Sequence, residues 1–161
     1  MEILIVSIIL ATLLFMGFVA YEADRLQGEF YEFQKHDIVD IPYVTIEIQG
    51  HSLNMIVDTG CGSSILHKPA AESLGIQYTE SNKRTTLSAL THETIDMKNV
   101  FVDYELNGEK VRDEFILYDA DAFGNFDVMY GITIHGLLGT DFFNAHKCAV
   151  DFKTHKLKIR K

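Results

Sequence analysis

Residues 55–66 read Met55-Ile56-Val57-Asp58-Thr59-Gly60-Cys61-Gly62-Ser63-Ser64-Ile65-Leu66. An apolar strand runs straight into a carboxylate and then into small and hydroxyl residues. A carboxylate at the end of a buried strand is costly unless hydrogen bonds or a partner compensate for it. Thr59 offers a hydroxyl, and Gly60 lets backbone come close. Taken alone, Asp-Thr-Gly is a common tripeptide, and a strand ending in a turn explains it as well as chemistry does.

Around that stretch the pattern is that of a β protein. Tyr43 to Ile48 is rich in β-branched and aromatic residues, Gln49-Gly50-His51-Ser52 turns the chain, and Leu53 to Asp58 returns it. Lys68 to Gly75 reads as a short helix, with Pro69 in its first turn and Gly just past its end. Asn107-Gly108 supplies the two positive φ angles of a tight hairpin between Val100–Leu106 and Glu109–Tyr118. Thr140 is expected to cap a helix over Asp141–His146, and Cys148–Phe152 with Leu157–Arg160 forms a last strand pair. Asp119–Asp127 reads as a solvated acidic loop, since it lacks the spacing of a calcium loop. The fold class is mainly β, closed or sandwiched, with one or two short helices.

The second informative stretch is Ile134-His135-Gly136-Leu137-Leu138-Gly139-Thr140-Asp141-Phe142-Phe143. With residues 56–61 it resembles the retropepsin-like aspartic proteases: apolar-apolar-Asp-Thr-Gly-Ala, then two apolar residues, Gly, any residue, Asp or Asn, and a bulky apolar residue. The tail Ala149–Phe152 through Leu157–Ile159 is common in bacterial members. The resemblance spans about residues 41–160 and implies a single-lobe, closed retropepsin-like β fold.

The resemblance implies an aspartic endopeptidase with Asp58 as the catalytic carboxylate and Thr59, Gly60, Leu138 and Gly139 as its support. Such chemistry needs two carboxylates sharing one proton around a water. The chain has one Asp-Thr-Gly, so a homodimer must supply the second acid. In the family, the Thr of the motif bonds across the two-fold axis. Ser88, Ala89, Leu90, Thr91 and His92 fall where the family places its flap, a hairpin that closes over an extended peptide. No metal or cofactor is implied. The expected partners are a second copy and a peptide or protein substrate.

Departures from the family are visible. Cys61 stands where Ala or Ser is usual, which raises a thiol nucleophile with His92 or His135 as base. Gly62, Ser63 and Thr140 replace the residues of an ion pair in viral members, and the flap stretch lacks its usual glycines. The competing reading is a non-catalytic membrane-anchored module of the same fold that binds peptides or proteins.

Ile3 to Ala20 is 18 residues without a charge. As a helix it rises roughly 27 Å, close to the ~30 Å of a bilayer core. It reads as an uncleaved single-pass anchor over residues 1–21, since Glu2 replaces the basic start of a signal peptide and Phe18 is bulky for a cleavage site. Residues 22–40 read as a polar stalk and 41–161 as the folded domain. Arg25 and Lys35, on the C-terminal side of the span, favour a cytoplasmic domain, and the side of the membrane is left open. The 14 Lys and Arg against 23 Asp and Glu give a net charge of -9, which argues against a nucleic-acid partner. Two cysteines make no disulfide framework.

Overall fold

The computed structural model describes residues 12–16, 29–32, 41–88, 94–119 and 121–159. It is built mainly of strands: β1 (Glu29–Glu32), β2 (Tyr43–Ile48), β3 (His51–Val57), β4 (Ile65–His67), β5 (Thr79–Ser88), β6 (Thr94–Leu106), β7 (Glu109–Tyr118), β8 (Gly136–Leu138), β9 (Ala149–Asp151) and β10 (Lys156–Ile159). Among the described residues short helices join them: α1 (Lys68–Leu74), α2 (Asp121–Tyr130) and α3 (Thr140–Ala145).

Seven strands form one sheet in the order β2-β3-β8-β4-β7-β6-β5, and three form another in the order β1-β10-β9. The larger sheet is not closed by hydrogen bonds as the sequence reading expected; its order is open, and it curls so that β2 packs on β6. Local chemistry explains the tight corners. Asn107 and Gly108 have φ of 55° and 78°, and Leu106 pairs with Glu109. Gln49 and Gly50 make a similar two-residue corner, with φ of 53° and 81°. The left-handed Gln49 is compensated by its side chain, which donates to the Gln77 and Asp103 carbonyls and accepts the Gln77 N–H. α1 has Pro69 in its first turn and ends on left-handed Gly75.

Strand alternation creates two apolar layers. Leu53, Met55 and Val57 of β3 face the main core with Val44, Ile46, Val100, Phe115 and Leu138, each burial contributing about 1.5–3 kcal/mol. The opposite face carries a second cluster: Ile65, Met97, Ile116, Phe123 and Ile134, with Ile56 and Leu137 packed against it.

Three expectations need correction. Asp119–Asp127 is not simply a loop, because α2 begins at Asp121 and seats Phe123 and Phe126 on the second cluster. Thr140 does not cap α3: Gly139 is the N-cap residue and Thr140 lies in the first turn. Part of the stretch read as a stalk forms β1, which pairs with β10 over Glu29–Glu32. Of the expected anchor, residues 12–16 are helical with exposed side chains, and the remainder lies outside the described residues. Among the described residues no helix is long and apolar enough to cross a membrane.

Candidate active site

Asp58 is the first residue beyond β3. Since Leu53, Met55 and Val57 point into the core, Asn54, Ile56 and Asp58 share the other face. The Asp58 N–H donates to the Leu138 carbonyl at 3.1 Å, which extends the parallel β3–β8 pairing by one residue. The side chain is half-buried, and its Oδ1 accepts the Gly60 N–H at 2.8 Å. Cys61 N–H returns to the Asp58 carbonyl at 3.3 Å and closes the turn. Thr59 and Gly60 are exposed at its tip.

The second motif lies directly beneath. β8 sits between β3 and β4, parallel to the first and antiparallel to the second. Ile56, Leu137 and Ile65 therefore line up across three strands on the face that carries Asp58. Leu138 is fully buried. Gly139 is buried against the loop: a Cβ there would lie 2.7 Å from the Ser63 carbonyl carbon and 2.9 Å from the Cys61 carbonyl oxygen. Gly136 is as confined, with a Cβ position 2.1 Å from the Ile65 carbonyl oxygen. No side chain fits at either point.

The sequence reading missed the residues that bind the two motifs together. Asp141 accepts the Ser64 N–H at 2.9 Å, the Ser64 hydroxyl at 2.7 Å and the Phe142 N–H at 2.7 Å. The Ser64 hydroxyl oxygen in turn accepts the Gly139 N–H at 3.0 Å. Thr140 N–H donates to the Cys61 carbonyl at 2.8 Å. The available signal was the Asp of the Gly-x-Asp pattern, seen as part of a motif but without its partner.

The structure thus brings Asp58, Thr59, Gly60, Leu138 and Gly139 into one unit. Ser88 is the last residue of β5 and lies opposite Thr94 in the antiparallel pairing of β5 with β6. Ala89, Leu90, Thr91 and His92 lie outside the described residues. Among the described residues Cys61 is not paired with a histidine: its thiol donates to the Ser63 carbonyl at 3.1 Å, and the His135 Nδ1 accepts the Asn54 N–H at 3.0 Å. Burial lowers the His135 pKa, so the imidazole resists protonation. Among the described residues no group of His, Cys, Asp and Glu is arranged to hold a metal ion.

The family described as aspartyl protease matches residues 44–142, from β2 through the start of α3. The chain belongs to this aspartyl protease family. Solved structures agree on a retropepsin-like fold. The retroviral protease-like domain of Ddi1 from Leishmania major has a TM-score of 0.52 at 20% identity, covering 75% of this chain and 89% of that one. A retropepsin-like aspartic protease from Rickettsia conorii has a TM-score of 0.51 at 18% identity, covering 83% and 91%. No curated protein sequence matches the chain.

Proposed function

We propose that the chain is an aspartic endopeptidase whose active form is a homodimer with Asp58 contributed by each copy. The observation that carries this reading is the half-exposed Asp58, held by Gly60 at the end of a buried strand and braced by the Leu138–Gly139 segment. One such carboxylate per chain cannot both activate water and polarise a carbonyl. Two brought together by a two-fold axis can.

Carboxylates so close do not ionise together, so the pair holds one proton. The ionised Asp58 takes a proton from water as the water oxygen attacks the scissile carbonyl carbon. The protonated Asp58 gives its proton to the carbonyl oxygen, and a neutral tetrahedral diol results. Collapse of the diol transfers a proton to the amide nitrogen, breaks the C–N bond and leaves an acid and an amine. Thr59, exposed beside Asp58, bonds to the partner's loop in this reading. Ser88, the last residue of β5, and Ala89 to His92, which follow it in the sequence, serve as the flap over an extended peptide.

Residues 3–20 anchor the enzyme in a membrane as a single span. Confinement to two dimensions raises the effective concentration of subunits and favours the dimer. Full-length protein in lipid vesicles should therefore lose specific activity as it is diluted with empty lipid. Cleavage of unfolded protein by the wild type and not by Asp58→Asn, with a dimer seen in sedimentation, is the expected result. Cleavage that survives Asp58→Asn overturns the proposal.

A further inference from the structure

α3 is bonded at both ends, and only its first turn belongs to the family motif. That turn holds the loop after Asp58 through Thr140 N–H to Cys61 and through the Asp141–Ser64 pair. Its other end closes on His146, whose N–H bonds the Phe142 carbonyl at 3.0 Å and whose ring lies 4.5 Å from the Phe142 ring. His146 Nε2 is 2.8 Å from Asp113 Oδ2 on β7, an oxygen that also accepts the Tyr104 hydroxyl of β6 at 2.6 Å. The His146 and Asp113 side chains are only 13% and 14% exposed.

A carboxylate placed there is costly, and apolar residues of similar volume would often serve stability as well. What a buried polar pair adds is a single allowed geometry, because a directional bond cannot slide as apolar packing can. The two anchorages are also neighbours in space. Ser64, Asp141, Phe142 and Asp113 line one cavity of about 190 Å³. Movement of α3 along the sheet would be transmitted to Cys61 and Ser64, and so to Asp58.

We infer that His146 and Asp113 are positioning residues for Asp58: their bond fixes α3 against β7 and thereby fixes the loop that carries the catalytic acid. The inference rests on the peptidase reading for its effect on rate. Its effect on the loop is independent of activity.

The test compares His146→Phe, His146→Gln and Tyr104→Phe in the full-length protein. Phe keeps the ring against Phe142 and removes the bond, whereas the Gln amide can still reach Asp113. Tyr104→Phe removes the other donor to Asp113 without touching α3. His146→Phe should lower kcat about tenfold with KM nearly unchanged. His146→Gln should restore most of kcat, and Tyr104→Phe should melt lower yet keep kcat. Amide exchange at Ser64 and Gly139 should speed about tenfold in His146→Phe and not in Tyr104→Phe. Should His146→Phe not fold, Asp113→Leu combined with it removes the buried charge too, and the same loss of kcat and protection is expected. Wild-type kcat and exchange in the folded Phe variant, or equal losses in the Phe and Gln variants, overturns the inference. If the wild type cleaves nothing, the peptidase reading fails while the exchange comparison still decides this one.

Discussion

Ser64 and Asp141 lie 77 residues apart in the chain and are joined by two hydrogen bonds, from the serine N–H and from its hydroxyl. Ser64 is 2% exposed and its hydroxyl also accepts the Gly139 N–H. This pair, more than any contact within the Asp-Thr-Gly turn itself, makes the two halves of the motif one object.

Replacing Asp141 tests that statement. Asp141→Ala leaves the Ser64 donors without their acceptor in a buried setting and should cost about 3 kcal/mol. Asp141→Asn keeps an acceptor and should cost about half as much. Urea unfolding monitored by circular dichroism gives both values.

Two glycines should respond differently to the same added methyl group. In Gly139→Ala the methyl meets backbone of Ser63 and Cys61 below 3.0 Å, so the loop must move and the protein should lose both stability and cleavage. In Gly60→Ala the methyl meets only Asp58 Oδ1, at 3.2 Å. That variant should fold with near wild-type stability and cleave poorly, because the carboxylate shifts. Melting curves and peptide cleavage on the two proteins separate the effects.

Stability should fall on both sides of neutral pH. Burial pushes the His67 and His135 imidazoles below their ordinary 6.5. The unfolded chain takes up protons that the native one resists, so stability is present above pH 6.5 and lost as pH falls. At the alkaline end, burial and then Asp113 raise the Cys148 thiol from 9.0 to about 12. Burial also raises the Tyr104 hydroxyl far above its ordinary value, with Asp113 adding to the effect. Here the unfolded chain releases protons first, so stability declines from about pH 9 upward. Urea midpoints at pH 5, 7.5 and 10 should be highest in the middle, and His67→Phe should shrink the acid loss.

The same chemistry makes Cys148 inert. It is half-buried and its thiolate is suppressed, so iodoacetamide at pH 8 should leave it unmodified in the native protein and label it after unfolding. Mass spectrometry of the alkylated protein reads this directly.

The readable parts of this fold were those with local causes. Asn107-Gly108, Pro69 with Gly75, and the apolar strand entering Asp58 each carry their own conformational instruction. α2 was illegible because Gly124 and Asn125 are weak helix formers among acidic residues. It is a helix because Phe123 and Phe126 cover Ile65 and Ile116. β1 has four residues and becomes a strand by pairing with β10 at the far end of the chain. In the site, Asp58, Gly60 and Gly139 were visible from their motifs. Ser64 and Asp141 have meaning only as a pair, and no spacing rule announces a contact across that much chain.

The central claim is that two chains each lend one Asp58, and subunit mixing tests it most directly. Wild type and Asp58→Asn are co-refolded at varying ratios and total cleavage is measured at constant protein concentration. If both acids are needed, activity follows the square of the wild-type fraction, and an equal mixture retains about a quarter. Linear dilution to about half would mean that a single chain is sufficient, and the account would be wrong.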